Sequence, residues 1–258
     1  MRNETLPEAR SAAPPTGPVG SPAIAVRGLT KRFDDVTAVD DLTFEVRPGE
    51  VTGFLGPNGA GKSTTLRAIL GLIEPTDGTT TVLGLPYRSL EHPTRTVGAV
   101  LETQSFHPLR SGHNHLRVLA DASGIGEDRV DEVLDMVDLA VAGDRKAGKY
   151  SLGMQQRLGL AGALLGEPQI LILDEPSNGL DPLGIRWLRD FLRRFAAAGT
   201  AVLVSSHQLR EMELMADEAV VIDQGRLLRQ APVAELTSGG AVSLEDAFLE
   251  MTYGKGIR

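Results

Sequence analysis

Nine consecutive residues, Gly56-Pro57-Asn58-Gly59-Ala60-Gly61-Lys62-Ser63-Thr64, constrain this chain more than any other stretch. The run before them, residues 51–55, is short, apolar and β-favouring, and the run after them, residues 65–72, has helical spacing of its apolar residues. Strand, glycine-rich turn and helix therefore follow one another, and the turn matches G-x-x-x-x-G-K-[ST] in full. Glycines let successive backbone N–H groups point into one concave nest with no Cβ in the way. The helix adds about half a positive charge at its N-terminus. Lys62 supplies a point charge for β- and γ-phosphates, and Ser63 a hydroxyl for Mg²⁺. A strand-to-helix turn with an incidental lysine is the competing reading, and the flanking pattern argues against it.

A second constellation lies far along the chain. Ile170-Leu171-Ile172-Leu173 is an apolar strand that runs directly into Asp174-Glu175. A carboxylate at the end of a core strand has to find a cation. Asp174 is expected to hold Mg²⁺, directly or through water, and Glu175 to polarise the water that attacks a γ-phosphate. His207 follows another apolar strand, residues 201–204. It thus falls at the carboxyl end of a strand, where open α/β sheets place ligands, and is a candidate γ-phosphate contact. His107, His113 and His115 form a local cluster whose spacing suits one face of a strand, whereas the stretch reads as helix.

Between and around these motifs, strand and helix patterns alternate, which implies a parallel sheet flanked by helices. Short strands are expected at 24–26, 42–46, 79–83, 97–101, 169–173, 201–205, 219–223 and 226–230. Residues 112–140 switch to helical spacing broken at Ser123-Gly124-Ile125-Gly126, and a third helix is expected over 151–165. Further helices are expected over 182–198, 208–215 and 243–251. Residues 1–22, with five prolines among small residues, read as a disordered leader.

Composition narrows the function classes. At 258 residues the chain holds one large domain or two small ones. Its net charge of −8 carries no nucleic-acid-binding footprint. With no cysteine there is no disulfide, thiolate zinc site or thiol catalysis, which fits a reducing cytoplasm. No apolar run approaches the roughly 18 residues of a membrane span, so the chain is expected to be soluble.

Taken together, the motifs resemble those of the ATP-binding cassette family, in family order from Ala23 to Gln230. Tyr150-Ser151-Leu152-Gly153-Met154-Gln155-Gln156-Arg157 looks like the family signature, Asn178-Gly179-Leu180-Asp181 is similar to the D-loop, and His207 matches the switch histidine. Phe33 stands where the family usually has a tyrosine that stacks on adenine. The resemblance implies a P-loop NTPase (RecA-like) parallel-sheet core with an antiparallel β subdomain and an inserted helical subdomain. The cassette would span 23–231, its helical subdomain about 105–165, with a helical tail over 232–258. ATP and Mg²⁺ are the implied ligands. Signature residues Ser151, Leu152, Gly153 and Met154 would face the ATP held by a second copy, so that the active form is a head-to-tail pair.

Departures from the family pattern point to a branch. Leu152 replaces the first signature glycine and Met154 its glutamine. Glu102 stands at the Q-loop glutamine position, unless a shift of two gives the role to Gln104. These features, with residues 105–108, resemble the bacterial antibiotic-export branch. That branch implies a separate integral membrane permease facing the segment 106–119, and a cassette held at the inner face of the cell membrane by that partner. The alternative is a soluble cassette ATPase acting on nucleic acid or ribosomes. The acidic balance, the single cassette and the absence of a coiled-coil pattern argue against it. A non-hydrolysing nucleotide switch is opposed by the full set Lys62, Ser63, Asp174, Glu175 and His207.

Overall fold

A computed structural model of the chain describes residues 21–101 and 106–254. Its centre is a six-stranded sheet in the order β5-β6-β7-β3-β8-β9. The strands are β3 (Val51–Leu55), β5 (Val97–Val100), β6 (Ile170–Asp174), β7 (Ala201–Ser206), β8 (Glu218–Asp223) and β9 (Arg226–Pro232). The first five in that order are parallel, and β9 returns antiparallel to β8. Every residue of β3, β6 and β7 is buried. Their unbroken apolar runs are what a parallel sheet covered on both faces requires.

A smaller antiparallel sheet, β2-β1-β4, is built from β1 (Ile24–Phe33), β2 (Val36–Val46) and β4 (Asp77–Val82). β1 runs well past the three residues read from sequence, and β4 begins two residues before the strand read at 79–83. Phe44 of β2 stacks on Phe54 of β3 at 5.1 Å, joining the two sheets through one buried cluster. Gln230 of β9 adds a polar clasp, donating to the Glu45 carbonyl at 2.8 Å and accepting from its N–H at 3.2 Å.

Helix α1 (Lys62–Ile69) follows the glycine-rich turn, and the short α2 (Pro93–Thr96) precedes β5. Helices α3 (Gly112–Ala122), α4 (Asp128–Met136) and α5 (Leu152–Leu164) form the inserted block. Leu116, Val130, Val133, Leu134 and Leu158 bury its centre. In the same buried cluster lie α6 (Pro182–Ala197), α7 (Leu209–Met215), the short α8 (Val233–Leu236) and α9 (Leu244–Tyr253). Leu244 and Phe248 of α9 share a buried cluster with Met212 and Met215 of α7. Among the described residues no helix is long and apolar enough to cross a membrane.

The inserted block meets the core where α5 presses on β5. A Cβ at Gly98 would lie 2.2 Å from the Ala163 carbonyl oxygen and 2.9 Å from Pro168 Cγ, so backbone must move to admit one. Gly98→Ala is expected to cost about 1–3 kcal/mol, read as a fall of roughly 2–10 °C in Tm. Gly126→Ala, where nothing lies within 4 Å, is the neutral control.

Candidate functional site

Three neighbouring strands deliver the sequence motifs to one edge. β3 ends at Leu55 before the glycine-rich turn, β6 ends at Asp174, and β7 ends at Ser206 beside His207. Since β6, β7 and β3 are adjacent and parallel, their carboxyl ends form one crevice.

The turn from Gly56 to Gly61 is held from behind. A Cβ at Gly56 would sit 2.6 Å from the Ile222 carbonyl, and one at Gly61 2.5 Å from that of Ala38. Gly61 also has φ of 99°, which a side chain resists. The Gly225 N–H donates to the Ala60 carbonyl at 3.1 Å, and the Asp40 N–H to that of Gly225 at 2.9 Å. The loop thus rests on β2 and the β8–β9 hairpin, while its tip, Asn58-Gly59, is exposed. No side chain caps α1, so the N–H groups of its first turn are not taken by one.

Lys62 is 6 % exposed and folds back on this loop. Its Nζ donates to the Gly56 carbonyl at 2.7 Å and the Pro57 carbonyl at 3.2 Å, and lies 3.6 Å from Glu175 Oε1. The other oxygen of Glu175 accepts from His207 Nδ1 at 2.8 Å. A carboxylate only accepts, so this bond fixes the proton on Nδ1. Glu175, 8 % exposed, therefore stands between one buried cation and one half-exposed imidazole.

Its backbone is unusual too. Glu175 has φ of 50°, a conformation that costs a non-glycine residue about 1–3 kcal/mol. The Glu175 N–H is anchored by Ser205, donating to its carbonyl at 3.2 Å and to its hydroxyl at 3.0 Å. The same hydroxyl donates to Asp174 Oδ1. One oxygen of Asp174 is thus taken by a hydroxyl. Its second oxygen, Oδ2, is buried with no hydrogen-bond partner among the described residues. A buried, unpartnered carboxylate oxygen fits the hard-oxygen preference of a divalent cation. The sequence reading ends a strand at Ser205 but gives it no role in the site; a hydroxyl ending an apolar strand is its one signal.

The remaining candidates stand on other elements. Phe33 ends β1, is 47 % exposed and carries Lys31 Nζ over its ring at 4.9 Å. Ser151 caps α5, accepting from the Met154 N–H at 3.3 Å. Asp181 caps α6, accepting from the Gly184 N–H at 2.8 Å, with Pro182 in the first turn. Ser151, Gly153 and Met154 line a cavity of about 310 Å³ with Leu180, Asp181 and Trp187, and no residue of the glycine-rich turn lines it. Glu102 and Gln104 lie outside the described residues.

A separate apolar groove of about 480 Å³ runs between α3, α5 and β5, lined by residues including Tyr87, Phe106, His115 and Leu119. Burial, then the nearby Arg110, pushes the His115 imidazole below its ordinary pKa. His113 instead pairs with Asp131 at 3.3 Å. Among the described residues no three His, Asp or Glu side chains converge as a metal site, so the histidine cluster does not form one.

Comparisons with known proteins agree with this fold. The family model described as ABC transporter matches residues 39–178. The chain is 43 % identical over 212 residues to an uncharacterized ABC transporter ATP-binding protein of Bacillus subtilis, covering 80 % of this chain and 68 % of the relative. It is 39 % identical over 216 residues to the bacitracin transport ATP-binding protein of Enterococcus faecalis, covering 83 % and 70 %. A solved structure of an ATP-binding subunit of an ABC transporter superimposes with a TM-score of 0.79 at 30 % identity, covering 89 % of this chain and 99 % of that one.

Proposed function

The chain belongs to the ABC transporter family, and from that membership we propose that it is the ATP-hydrolysing subunit of a membrane exporter of antibiotics or similar hydrophobic compounds. The observation that carries hydrolysis is the crevice where β3, β6 and β7 end, with Lys62, Asp174, Glu175 and His207 converging there. Residues 56–64 cradle the phosphates, Phe33 stacks on the base, and Lys62 exchanges its loop carbonyls for phosphate oxygens. Ser63 and Asp174 would hold Mg²⁺, which when bound neutralises phosphate charge. Glu175 orients and deprotonates the attacking water, and His207, tethered to it, contacts the γ-phosphate.

The signature turn opens on a different cavity from the phosphate loop, which supports a site completed by a second copy. Ser151 and Gly153 at the start of α5 then meet the ATP of the other subunit. Asp181 and its loop lie beside them. A segment of the permease occupies the apolar groove at Tyr87, Phe106, His115 and Leu119, and holds the cassette at the inner membrane face. The bacitracin-transport relative supports an antibiotic-type cargo.

The test is isolation of the native complex from membranes, identification of the integral protein that accompanies the chain, and assay of Mg²⁺-dependent phosphate release by the pair. Co-purification of a polytopic membrane protein, with ATP-dependent efflux of a peptide antibiotic such as bacitracin, is the expected result. Recovery with ribosomes or DNA and no membrane protein would overturn it.

A further inference from the structure

Arg157 lies on the second turn of α5 and touches two bodies at once. Its Nη1 donates to the Val137 carbonyl at 3.0 Å and to Asp138 Oδ2 at 2.8 Å, just beyond the end of α4. Its guanidinium carbon lies 4.1 Å from the centre of the Trp187 ring on α6. Trp187 in turn stacks on Phe191 at 4.8 Å, and Phe191 is a buried member of the main core cluster. The ring N–H of Trp187 is buried without a partner among the described residues. The indole therefore contributes its face rather than a hydrogen bond, and an indole offers the strongest face to a cation.

A second tie sits at the start of the same helix. A Cβ at Gly179 would lie 2.0 Å from Leu152 Cδ2, so the leucine fills space that only a glycine leaves. Gly179 has φ of 73°, which also favours glycine. Leu152 and Arg157 are five residues apart on one helix, so the two contacts, about 7.5 Å apart along its axis, fix its direction as well as its position.

We propose that Arg157 and Trp187, with the Leu152–Gly179 contact, are positioning residues that lock the signature turn to the D-loop, so that both move as one piece. This rests on the head-to-tail reading above. Within one chain the D-loop follows Glu175 by a few residues, while the signature turn faces the ATP of the other site. The lock therefore ties a subunit's own hydrolytic carboxylate to the occupancy of its neighbour's site. Its loss is felt in ATP-driven association of two copies and not in binding of ATP to one.

The experiment uses the full chain in the Glu175→Gln background and measures ATP affinity and ATP-driven dimerisation separately. Arg157→Ala and Trp187→Ala are expected to leave ATP affinity of the monomer within about twofold and to weaken dimerisation roughly tenfold. The double variant is expected to be no worse than the weaker single one. Trp187→Phe, which keeps a smaller aromatic face, falls between. Arg157→Lys keeps the charge and loses the planar stack, so it weakens dimerisation as well. Trp187 is the sole tryptophan, so its emission in Arg157→Ala reads the stack directly. Should the alanine variants not fold, Trp187→Phe and Arg157→Lys decide the matter. Parental dimerisation in both of those, or additive effects in the double variant, would overturn the proposal. A parent that stays monomeric with ATP overturns the head-to-tail reading itself and this lock with it.

Discussion

Glu175→Gln is expected to slow phosphate release by about 10²–10⁴-fold while ATP binding persists, the loss typical of a removed general base. The substitution keeps side-chain length and shape, so the left-handed backbone at φ of 50° and its anchor on Ser205 are undisturbed. An amide oxygen can still accept from His207 Nδ1, which lies 2.8 Å away in the parent. What disappears is the negative charge 3.6 Å from Lys62 Nζ. That charge competes with phosphate for the amine, so the variant should bind ATP as tightly as the parent or more tightly. ATP-bound dimers should then accumulate. Phosphate release, equilibrium nucleotide binding and sedimentation measured on one preparation separate the three effects. Phosphate release at the parental rate would remove Glu175 from the role of base and leave Lys62 and His207 as its neighbours by packing alone.

The parts of this site legible in the sequence are those whose signal is local. The turn at 56–64 lies between a strand and a helix of opposite periodicity, and β3 and α1 fall on those flanks. Asp174-Glu175 could be read because polar residues interrupt an apolar run, and β6 ends there. β1 was less legible. Gly28, at φ of 57°, and several register shifts break its alternation, and Arg27, Lys31 and Arg32 conceal a strand that continues to Phe33. Contacts between distant segments left no trace. Ser205 enters the site only because β7 pairs with β6 in a register that sets it opposite Asp174. The Arg157–Trp187 stack joins residues on separate helices; the helical spacing of Trp187, Phe191 and Phe195 announces the inward face of α6 but not the arginine that meets it. Leu152 looked in the sequence like the loss of a signature glycine. In the fold it is half of a contact whose other half is the glycine at 179.

Lys62→Ala is expected to erase the stabilisation that ATP gives the protein. A ligand at 100 times its Kd that binds only the folded state adds about 2.7 kcal/mol. For a chain of this size that corresponds to a rise of roughly 5–10 °C in Tm. Lys62 folds back on the loop from the loop's own helix, and its amine is already desolvated at 6 % exposure. A desolvated amine interacts with phosphate in a low-dielectric crevice, where the attraction is several times what water allows. The same amine donates to the carbonyls of Gly56 and Pro57. Binding therefore swaps two neutral acceptors for charged ones. The substitution also affects the empty protein, because the Gly56 carbonyl loses its donor and Glu175 keeps only His207. That loss is about 1–2 kcal/mol, modest because the histidine remains. The two effects are separable in one thermal-melting experiment: a small drop in Tm without ATP, and no rise when ATP is added. A Lys62→Ala protein that still gained several degrees from ATP would show that the backbone nest and the helix N-terminus hold the phosphates without a side-chain cation, and the weight placed on Lys62 would pass to them.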